Sequence, residues 1–366
     1  MKILSNNFSR VTSALLLAAG LMFTGCKKEE AQLIPVDLSQ EGTANCYIIS
    51  SAGAYKFPAT KGNSSKSVGT LATAEVLWET FGTRSLPKVG DLVKKVKVED
   101  GYIVFQTPAG FKEGNALIAA KDEDGEILWS WHIWLTDQPE QQDYDNGAGT
   151  MMDRNLGATS TEQAECENLG LLYQWGRKDP FLNSKLVFGN SVVSSTLTWP
   201  DPIASESKTG TIEYATANPT TFIYYNYKNY DWYYTGDSTT DDTRWTESDE
   251  KKSVYDPCPA GWRVPDGDIW VKAAGTDSTS EDMFDGDNGG IDFTDTFSDD
   301  DIWYPAAGYL HAPGGILYDV GITGVYWTAA SDGSEAVCLA FDTFDGADLA
   351  QTNIKATGQS IRCVKE

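Results

Sequence analysis

Short apolar segments, rich in β-branched and aromatic residues, follow one another between residues 45 and 135. They are CYIIS, AYKFP, EVLWE, LVKKVKV, YIVFQT, ALIAAKD and ILWSWHIWL. Runs of this length and composition, several of them alternating apolar with polar positions, are typical of β-strands. Asp100-Gly101 and Asp124-Gly125 each lie between two such runs, and Asp-Gly favours a type I′ hairpin turn, whose two central residues need positive φ. The pattern predicts an antiparallel β-sandwich over residues 44–137.

The pattern changes after this region. Residues 138–149 (QPEQQDYDNGAG) are polar, contain a proline and show no periodicity, which predicts a linker. A second domain is expected over residues 150–366, with a surface insertion at about 194–250 that is rich in Thr, Ser, Asp, Tyr and Trp. One short helix is predicted near residues 267–274. The predicted fold class is therefore mainly β with some α.

The N-terminal segment has the pattern of a secretory signal peptide. Lys2 and Arg10 precede an apolar stretch at residues 11–23, and a charged region before a short apolar region is typical of such signals. The stretch is shorter than the about 20 apolar residues of a membrane-spanning helix. It ends in Phe-Thr-Gly-Cys, which resembles a bacterial lipobox and implies cleavage after residue 25 and lipidation of Cys26. A secretory signal with an unmodified cysteine is the alternative.

Residues 26–43 are expected to form a tether. The run Lys-Lys-Glu-Glu at residues 27–30 resembles the surface-export signal of Bacteroides-type lipoproteins. This resemblance implies a lipid anchor in the outer membrane, with the chain facing the cell exterior. The alternative is that the run only keeps the tether solvated.

Charge and cysteine content narrow the function classes. The formal net charge is −25, and removing residues 1–25 takes it to −27 because that segment carries two positive charges. Such an acidic chain repels phosphate backbones, so no nucleic-acid partner is expected. Besides Cys26 there are five cysteines, an odd number for an oxidising compartment. At least one thiol is expected to be unpaired or to pair between chains.

The second domain carries several phrases in a fixed order. They are MMDRNLG (151–157), GLLYQWGR (170–177), DPCPAGWRVP (256–265), WYPAAGY (303–309), YWTAA (326–330) and SIRCVK (360–365). Together they resemble the Fibrobacter succinogenes major paralogous domain family. The resemblance implies a C-type-lectin-like α+β fold over residues 150–366.

Such a fold brings the two ends of the domain together, so the resemblance also implies that Cys258 and Cys363 lie side by side as a disulfide candidate. Closing a loop of that length would contribute about 4–5 kcal/mol. Cys46 and Cys338 lie in apolar, strand-like runs, which favours buried free thiols. Cys166 stays unassigned.

Neither the Glu-Pro-Asn or Gln-Pro-Asp loop nor the Trp-Asn-Asp strand by which C-type lectins hold calcium and sugar occurs in the sequence. An acidic segment elsewhere offers Asp285, Asp287, Asn288 and Asp292 as candidate ligands of a structural Ca²⁺, which prefers several oxygen ligands. A solvated turn is the alternative.

A ring-rich stretch runs from residue 222 to residue 234. Tyr224, Tyr225, Trp232 and Tyr233 are candidates for ligand binding, because aromatic rings with polar edges stack on sugars or anchor a protein partner. Most rings of the stretch are expected to pack the insertion onto the core instead.

Histidine content argues against common hydrolytic sites. His132 and His311 are the two histidines of the chain, they belong to different predicted domains, and no nucleophile motif adjoins either. The chain has enough Asp and Glu residues for the paired carboxylates of a glycosidase, so that alternative stays open. The sequence therefore predicts a non-catalytic, adhesin-like binding module for a glycan or a protein ligand. A structural subunit of a fimbrial tip or envelope complex is the second hypothesis, and a hydrolase is the third.

Overall fold

The N-terminal strands of the computed structural model form two four-stranded sheets. They are β1 (Val36–Asp37), β2 (Cys46–Ile49), β3 (Ala54–Pro58), β4 (Thr73–Thr80), β5 (Lys94–Glu99), β6 (Tyr102–Gln106), β7 (Gly114–Lys121) and β8 (Ile127–Leu135). One sheet has the order β1-β3-β6-β5 and the other β2-β8-β7-β4. Phe57 and Phe105 from the first sheet pack with Trp131 from the second in one buried core. The two sheets therefore form the sandwich that the apolar runs predicted.

Hairpin turns account for much of its pairing. Glu99 pairs with Tyr102 across Asp100 and Gly101, whose φ angles of 51° and 81° are those that a type I′ turn needs. Two strand pairs are parallel, β1 with β3 and β2 with β8, which the prediction of an antiparallel sandwich did not include. Alternation fixes which face a side chain takes but not the direction of a partner strand.

The structure describes residues 33–182, 193–225, 229–236, 243–246, 251–279 and 283–366. Cys26 and the predicted signal peptide lie outside these residues. The described part of the predicted tether includes β1, which adds to an edge of the sandwich through the register Val36 to Tyr55. Among the described residues, no helix is long and apolar enough to span a bilayer.

The described part of the C-terminal region contains many strands of two to four residues, three longer strands and little helix. The strands are β9 (Gln141–Tyr144), β10 (Gly149–Met152), β11 (Tyr173–Gln174), β12 (Ile203–Ala204), β13 (Ile223–Tyr224), β14 (Trp262–Arg263), β15 (Phe284–Asp285), β16 (Gly290–Asp292), β17 (Trp303–Pro305), β18 (Tyr309–His311), β19 (Ile316–Tyr318), β20 (Thr323–Asp332), β21 (Glu335–Asp342), β22 (Gly346–Ile354), β23 (Gly358–Gln359) and β24 (Val364–Lys365). The α-helices are α1 (Ile212–Ala217) and α2 (Ile269–Ala274), and single 3₁₀ turns occur at Asp145–Gly147 and Cys166–Asn168. The predicted fold class, mainly β with some α, is confirmed.

Strands distant in sequence assemble this region. Its sheets have the orders β14-β24-β10-β9, β11-β23-β18-β19, β15-β16-β17, β20-β21-β22 and β12-β13. β9 lies within the segment that we predicted as a linker, and it pairs with β10 along four residue pairs. Its Tyr144 hydroxyl shares a 2.8 Å hydrogen bond with the Tyr304 hydroxyl in the core. Residues 141–144 are thus an edge strand of the C-terminal region.

The sandwich and the C-terminal region bury a common core within one compact unit, residues 34–366. The alternation of side chains along β8 explains how the two regions share a core. Trp129, Trp131 and Ile133 point into the sandwich, whereas Trp134 points the other way and packs with rings of the C-terminal region, including Trp327. Since both faces of β8 are covered, its apolar run is almost continuous, as expected for a strand buried on both sides.

Cysteine placement follows the predictions. Cys258 and Cys363 form a disulfide across a sequence separation of 105 residues, which confirms the pair implied by the family resemblance. Cys46 and Cys338 are buried free thiols, and Cys166 is a half-buried free thiol. Burial raises the pKa of Cys46 and of Cys338, so both stay protonated and unreactive.

Candidate functional site

Trp232, one of the four predicted ligand-binding rings, lies in the core. It is 1% exposed, and its indole N–H donates to the Trp175 carbonyl at 2.7 Å. The Arg244 guanidinium lies 5.1 Å from its ring centroid and pairs with the buried Asp231 carboxylate. A ligand therefore cannot reach the ring, which corrects the assignment of Trp232 as a ligand candidate.

The three tyrosine candidates are half-buried. The Tyr225 ring lies 5.3 Å from that of Tyr230, and the Tyr233 ring 6.0 Å from that of Trp232. Tyr224 belongs to β13 and packs beside a cluster that contains Phe222. None of the three lines the cleft described below. Each of the three therefore stays a ligand candidate only as a single, partly exposed ring.

The candidate calcium ligands lie in and after the turn between β15 and β16. The Asp285 carboxylate accepts hydrogen bonds from the Asn288 side chain at 2.7 Å and from the backbone N–H groups of Asp287 and Asn288. The same contacts, led by the Asn288 side chain, lower the pKa of Asp285. Asp292 accepts from Thr294 instead. These are hydrogen bonds within a turn. Among the described residues, no group of three or more His, Cys, Asp or Glu side chains that could hold a metal occurs.

A cleft of about 390 Å³ lies where the edge of the sandwich meets the C-terminal region. Its lining residues are Leu86, Phe181, Leu182, Val193, Ser194, Ser195, Leu197, Thr198, Trp199, Pro200, Pro202, Thr220, Phe222, Leu310, Gly314 and Gly315. We call it the junction cleft. None of these side chains is charged, although the chain carries a net charge of −25. Its volume lies in the range of about 300–1,000 Å³ that is usual for ligand sites.

One wall forms because β4 is an edge strand with unpaired backbone groups. The Thr196 N–H donates to the Glu79 carbonyl at 3.0 Å, and the Ser194 N–H donates to the Thr83 carbonyl at 2.8 Å. In return, the Thr80 hydroxyl donates to the Ser194 carbonyl at 2.7 Å. This part of the predicted surface insertion is therefore held along the sandwich.

Aromatic rings form the inner part of the cleft. The half-buried Trp199 ring lies 6.2 Å from the fully buried Trp78 ring and 5.9 Å from the Phe181 ring. Phe181 in turn meets Phe222 edge to face at 5.6 Å. Rings in contact prefer such tilted and edge-to-face arrangements, so the cleft offers an apolar surface of packed rings.

The opposite wall depends on Gly315. Its φ is 60°, and a Cβ at this position would lie 2.7 Å from Cγ of Phe222. Only glycine both adopts this conformation without strain and leaves room for the ring. The glycine turn and Leu310 of β18 thus close the cleft on this side.

A loop at the rim is held by a buried carboxylate. Glu79 is fully buried, and its side chain accepts hydrogen bonds from the backbone N–H groups of Gly90 at 2.6 Å, Leu92 at 2.9 Å and Val93 at 2.7 Å. The loop it holds leaves Leu86 68% exposed. Since Leu86 also lines the junction cleft, the loop extends the apolar surface outwards.

Ser130, Lys178 and Asp179 resemble a nucleophile with a lysine base, but their hydrogen bonds are those of a buried ion pair. The Lys178 ammonium donates to the Ser130 carbonyl, to the Ser130 hydroxyl at 2.6 Å and to the Asp179 carboxylate at 2.6 Å. The Ser130 hydroxyl donates to the same carboxylate at 2.5 Å. A lysine base needs a free lone pair directed at the hydroxyl proton, whereas here the lysine donates to the hydroxyl and the hydroxyl donates to the Asp179 carboxylate. The cluster therefore joins β8 to the C-terminal region.

The two histidines lie far apart in the sequence and in different environments. His132 is buried beside Asn115, with 2.8 Å between His132 Nε2 and Asn115 Oδ1, and burial lowers its pKa to about 3. His311 is exposed, and its ring lies 5.0 Å from the Tyr318 ring. Neither contacts a nucleophile in these interactions.

The junction cleft was not predicted from the sequence. Trp199 lies between short polar runs, and Leu86 lies in the loop RSLPKVG, outside every predicted strand. A tryptophan followed by Pro200 and Pro202 is the one local signal for an ordered, partly exposed ring. Comparison of the chain with protein-family models, with curated proteins and with solved structures yields no match.

Proposed function

We propose that this protein is an outer-membrane lipoprotein, anchored through Cys26 and facing the cell exterior, that acts as a non-catalytic binding module. The junction cleft is its binding site and receives an uncharged part of a glycan or protein ligand. The observation that carries this proposal is the uncharged, ring-lined cleft in a chain of net charge −25. The ordered phrases that resemble the Fibrobacter succinogenes major paralogous domain family support a lectin-like C-terminal domain in the same proposal.

The chemistry of the lining favours binding over catalysis. Catalysis of hydrolysis uses titratable groups near the reacting bond, and the junction cleft is lined by apolar side chains and by hydroxyls such as those of Thr198 and Thr220. Apolar burial and ring stacking supply affinity. Hydroxyl groups at the edge of the cleft fix the orientation of the ligand through hydrogen bonds.

A glycan array combined with a neutral peptide array tests the binding site. Trp199→Ala removes the central ring, and Thr198→Glu places a charge in the cleft without removing a packed ring. Tyr225→Ala is the control, because it removes a half-buried ring outside the cleft. We expect the first two variants to lose most of the binding and the control to keep it. Loss in Tyr225→Ala alone would move the site to the ring-rich stretch and contradict the proposal.

The anchor has its own test. Cells that express the full chain and are fed a radiolabelled fatty acid are expected to label it, and Cys26→Ser is expected to remain unlabelled. Protease added to intact cells should then degrade the wild-type protein. Full protection of a labelled protein would contradict display at the cell exterior.

A further inference from the structure

A basic segment borders the junction cleft in an otherwise acidic chain. Residues 84–98 contain five positive side chains and one carboxylate, Asp91, and one of the five, Lys97, pairs with Glu99 just beyond the segment. We call this segment, from Arg84 to Val98, the basic rim. A local concentration of positive charge in a chain of net charge −25 attracts an acidic partner to one place on the surface.

The carboxylate of the rim is already paired. Asp91 accepts a hydrogen bond from the Lys112 ammonium at 3.2 Å and another from the backbone N–H of Lys88. Lys112 also lies over the Phe81 ring, 4.9 Å from its centroid. Asp91 interacts electrostatically with both Lys88 and Lys112. Because Lys112 joins from outside the segment, the cluster of these three side chains keeps a net positive charge, and both Arg84 and Lys88 are exposed.

The rim is continuous with the apolar cleft. Leu86 and Val89 flank Lys88 and are 68% and 82% exposed. Leu86 lines the cleft, and the buried Glu79 carboxylate fixes the far end of the loop at Gly90. An apolar pocket bordered by a net positive charge combines a site for an anchor side chain with electrostatic complementarity to an acidic partner.

We infer that the junction cleft and the basic rim together bind an acidic polypeptide segment, whose apolar or aromatic side chain enters the cleft while its carboxylates face Arg84 and Lys88. This inference rests on the proposed function and names its partner. A concave site suits a side chain better than a bilayer surface. A planar anionic membrane would also meet the rest of the acidic chain and be repelled by it, whereas a short segment meets only the rim.

Three fluorescein-labelled hexapeptides test the charge preference by fluorescence polarisation. They are Glu-Glu-Trp-Leu-Glu-Glu, Ser-Ser-Trp-Leu-Ser-Ser and Lys-Lys-Trp-Leu-Lys-Lys, used with the full soluble chain at low salt and at about 0.15 M salt, where screening acts beyond about 8 Å. We expect the acidic peptide to bind at least about tenfold more tightly than the basic one at low salt, with a smaller ratio at the higher salt.

Matched variants assign the effect to the rim. Lys88→Glu is expected to weaken binding of the acidic peptide by about tenfold, and Lys208→Glu, an equal charge change at an exposed lysine elsewhere, should not. Leu86→Ser should weaken all three peptides. Phe344→Ser is the control for Leu86→Ser, because Phe344 is also exposed (75%) and lies far from Leu86 in the sequence.

Failure of this inference differs from failure of the proposed function. If a glycan or the neutral peptide binds in a Trp199-dependent manner and Lys88→Glu behaves as Lys208→Glu does, the acidic partner is wrong and the binding site stands. If the peptides do not bind, while phosphatidylglycerol vesicles sediment the wild type and not Leu86→Ser, the rim is a membrane contact and the inference is overturned.

Discussion

The sandwich and the C-terminal region meet in two different ways, along the middle of a sheet and at its edge. In the middle, the side chains of β8 that face the C-terminal region are buried, with Trp134 in the shared core and Ser130 hydrogen-bonded to the buried Lys178–Asp179 ion pair. At the edge, β4 pairs with residues 194–196, and the half-buried Trp199 beyond them leaves an open cleft. The contrast indicates that the middle of the junction is closed by buried side chains, whereas its edge leaves an open apolar cleft.

The largest effect is expected from breaking the middle of the junction. Lys178→Met removes one partner of a pair that is at most 3% exposed and leaves the Asp179 carboxylate buried without its cation. Breaking a buried pair costs about 3–5 kcal/mol, so the free energy of unfolding in urea should fall by that amount. The double variant with Asp179→Asn should recover part of the loss, and a loss below about 1 kcal/mol in the single variant would contradict this role.

Acid should destabilise the middle of the junction, where His132 lies on β8. The folded-state pKa of His132 is lowered to about 3 by burial, against about 6.5 in the unfolded chain, so the unfolded chain binds more protons between these values. The contribution of His132 to the free energy of unfolding is therefore fully present above about pH 6.5 and is lost as the pH falls towards 3. The contribution of His132 is about 2 kcal/mol between pH 7 and pH 5. Urea unfolding of wild type and His132→Gln at both pH values checks it, because the variant should lose less stability; equal losses would contradict it.

A smaller effect is expected at the edge. Gly315→Ala combines positive φ with a Cβ 2.7 Å from the Phe222 ring, and such a change costs about 1–2 kcal/mol. Gly314→Ala, where a Cβ would make only ordinary contacts with Ile316, is the control and should change thermal stability little. Equal melting temperatures for the two variants would show that Gly315 does not shape the cleft wall.

The smallest effect on stability is expected at the rim. Leu86→Ser replaces a side chain that is 68% exposed, and surface changes of this kind fall within about 0.5 kcal/mol. The same variant should lose peptide binding, because it removes the outer part of the apolar surface. Paired measurements of unfolding and of binding on one preparation check this separation, and a large loss of stability would place Leu86 with the middle of the junction.

Local sequence signals predicted the parts of the molecule that depend on neighbouring residues. The type I′ turn at Asp100-Gly101 follows from two adjacent residues, and the helix predicted near residues 267–274 forms at Ile269–Ala274. The Cys258–Cys363 bond followed from a resemblance that spans the second domain. Most rings of residues 222–234 are expected to pack onto the core, and Trp232 does so. Its assignment as a ligand candidate is wrong because composition alone does not distinguish a ring that packs from a ring that is exposed.

The candidate site depends on contacts between distant residues. Leu86 and Trp199 line one cleft only because residues 194–196 pair with the edge strand β4, and no local pattern specifies that register. The near-continuous apolar runs of β7 and β8 did carry a signal that both faces of the sheet are covered. That signal indicates where the two regions meet, but it does not indicate where the junction opens.

The most direct test of the junction cleft as the binding site is a crystal structure of the protein with the tightest ligand from the glycan and peptide arrays. The account predicts electron density for the ligand in contact with Trp199 and Phe222, with its charged groups, if present, facing Arg84 and Lys88. Ligand density against Tyr225 or Tyr233, with no ligand in the junction cleft, would contradict the account.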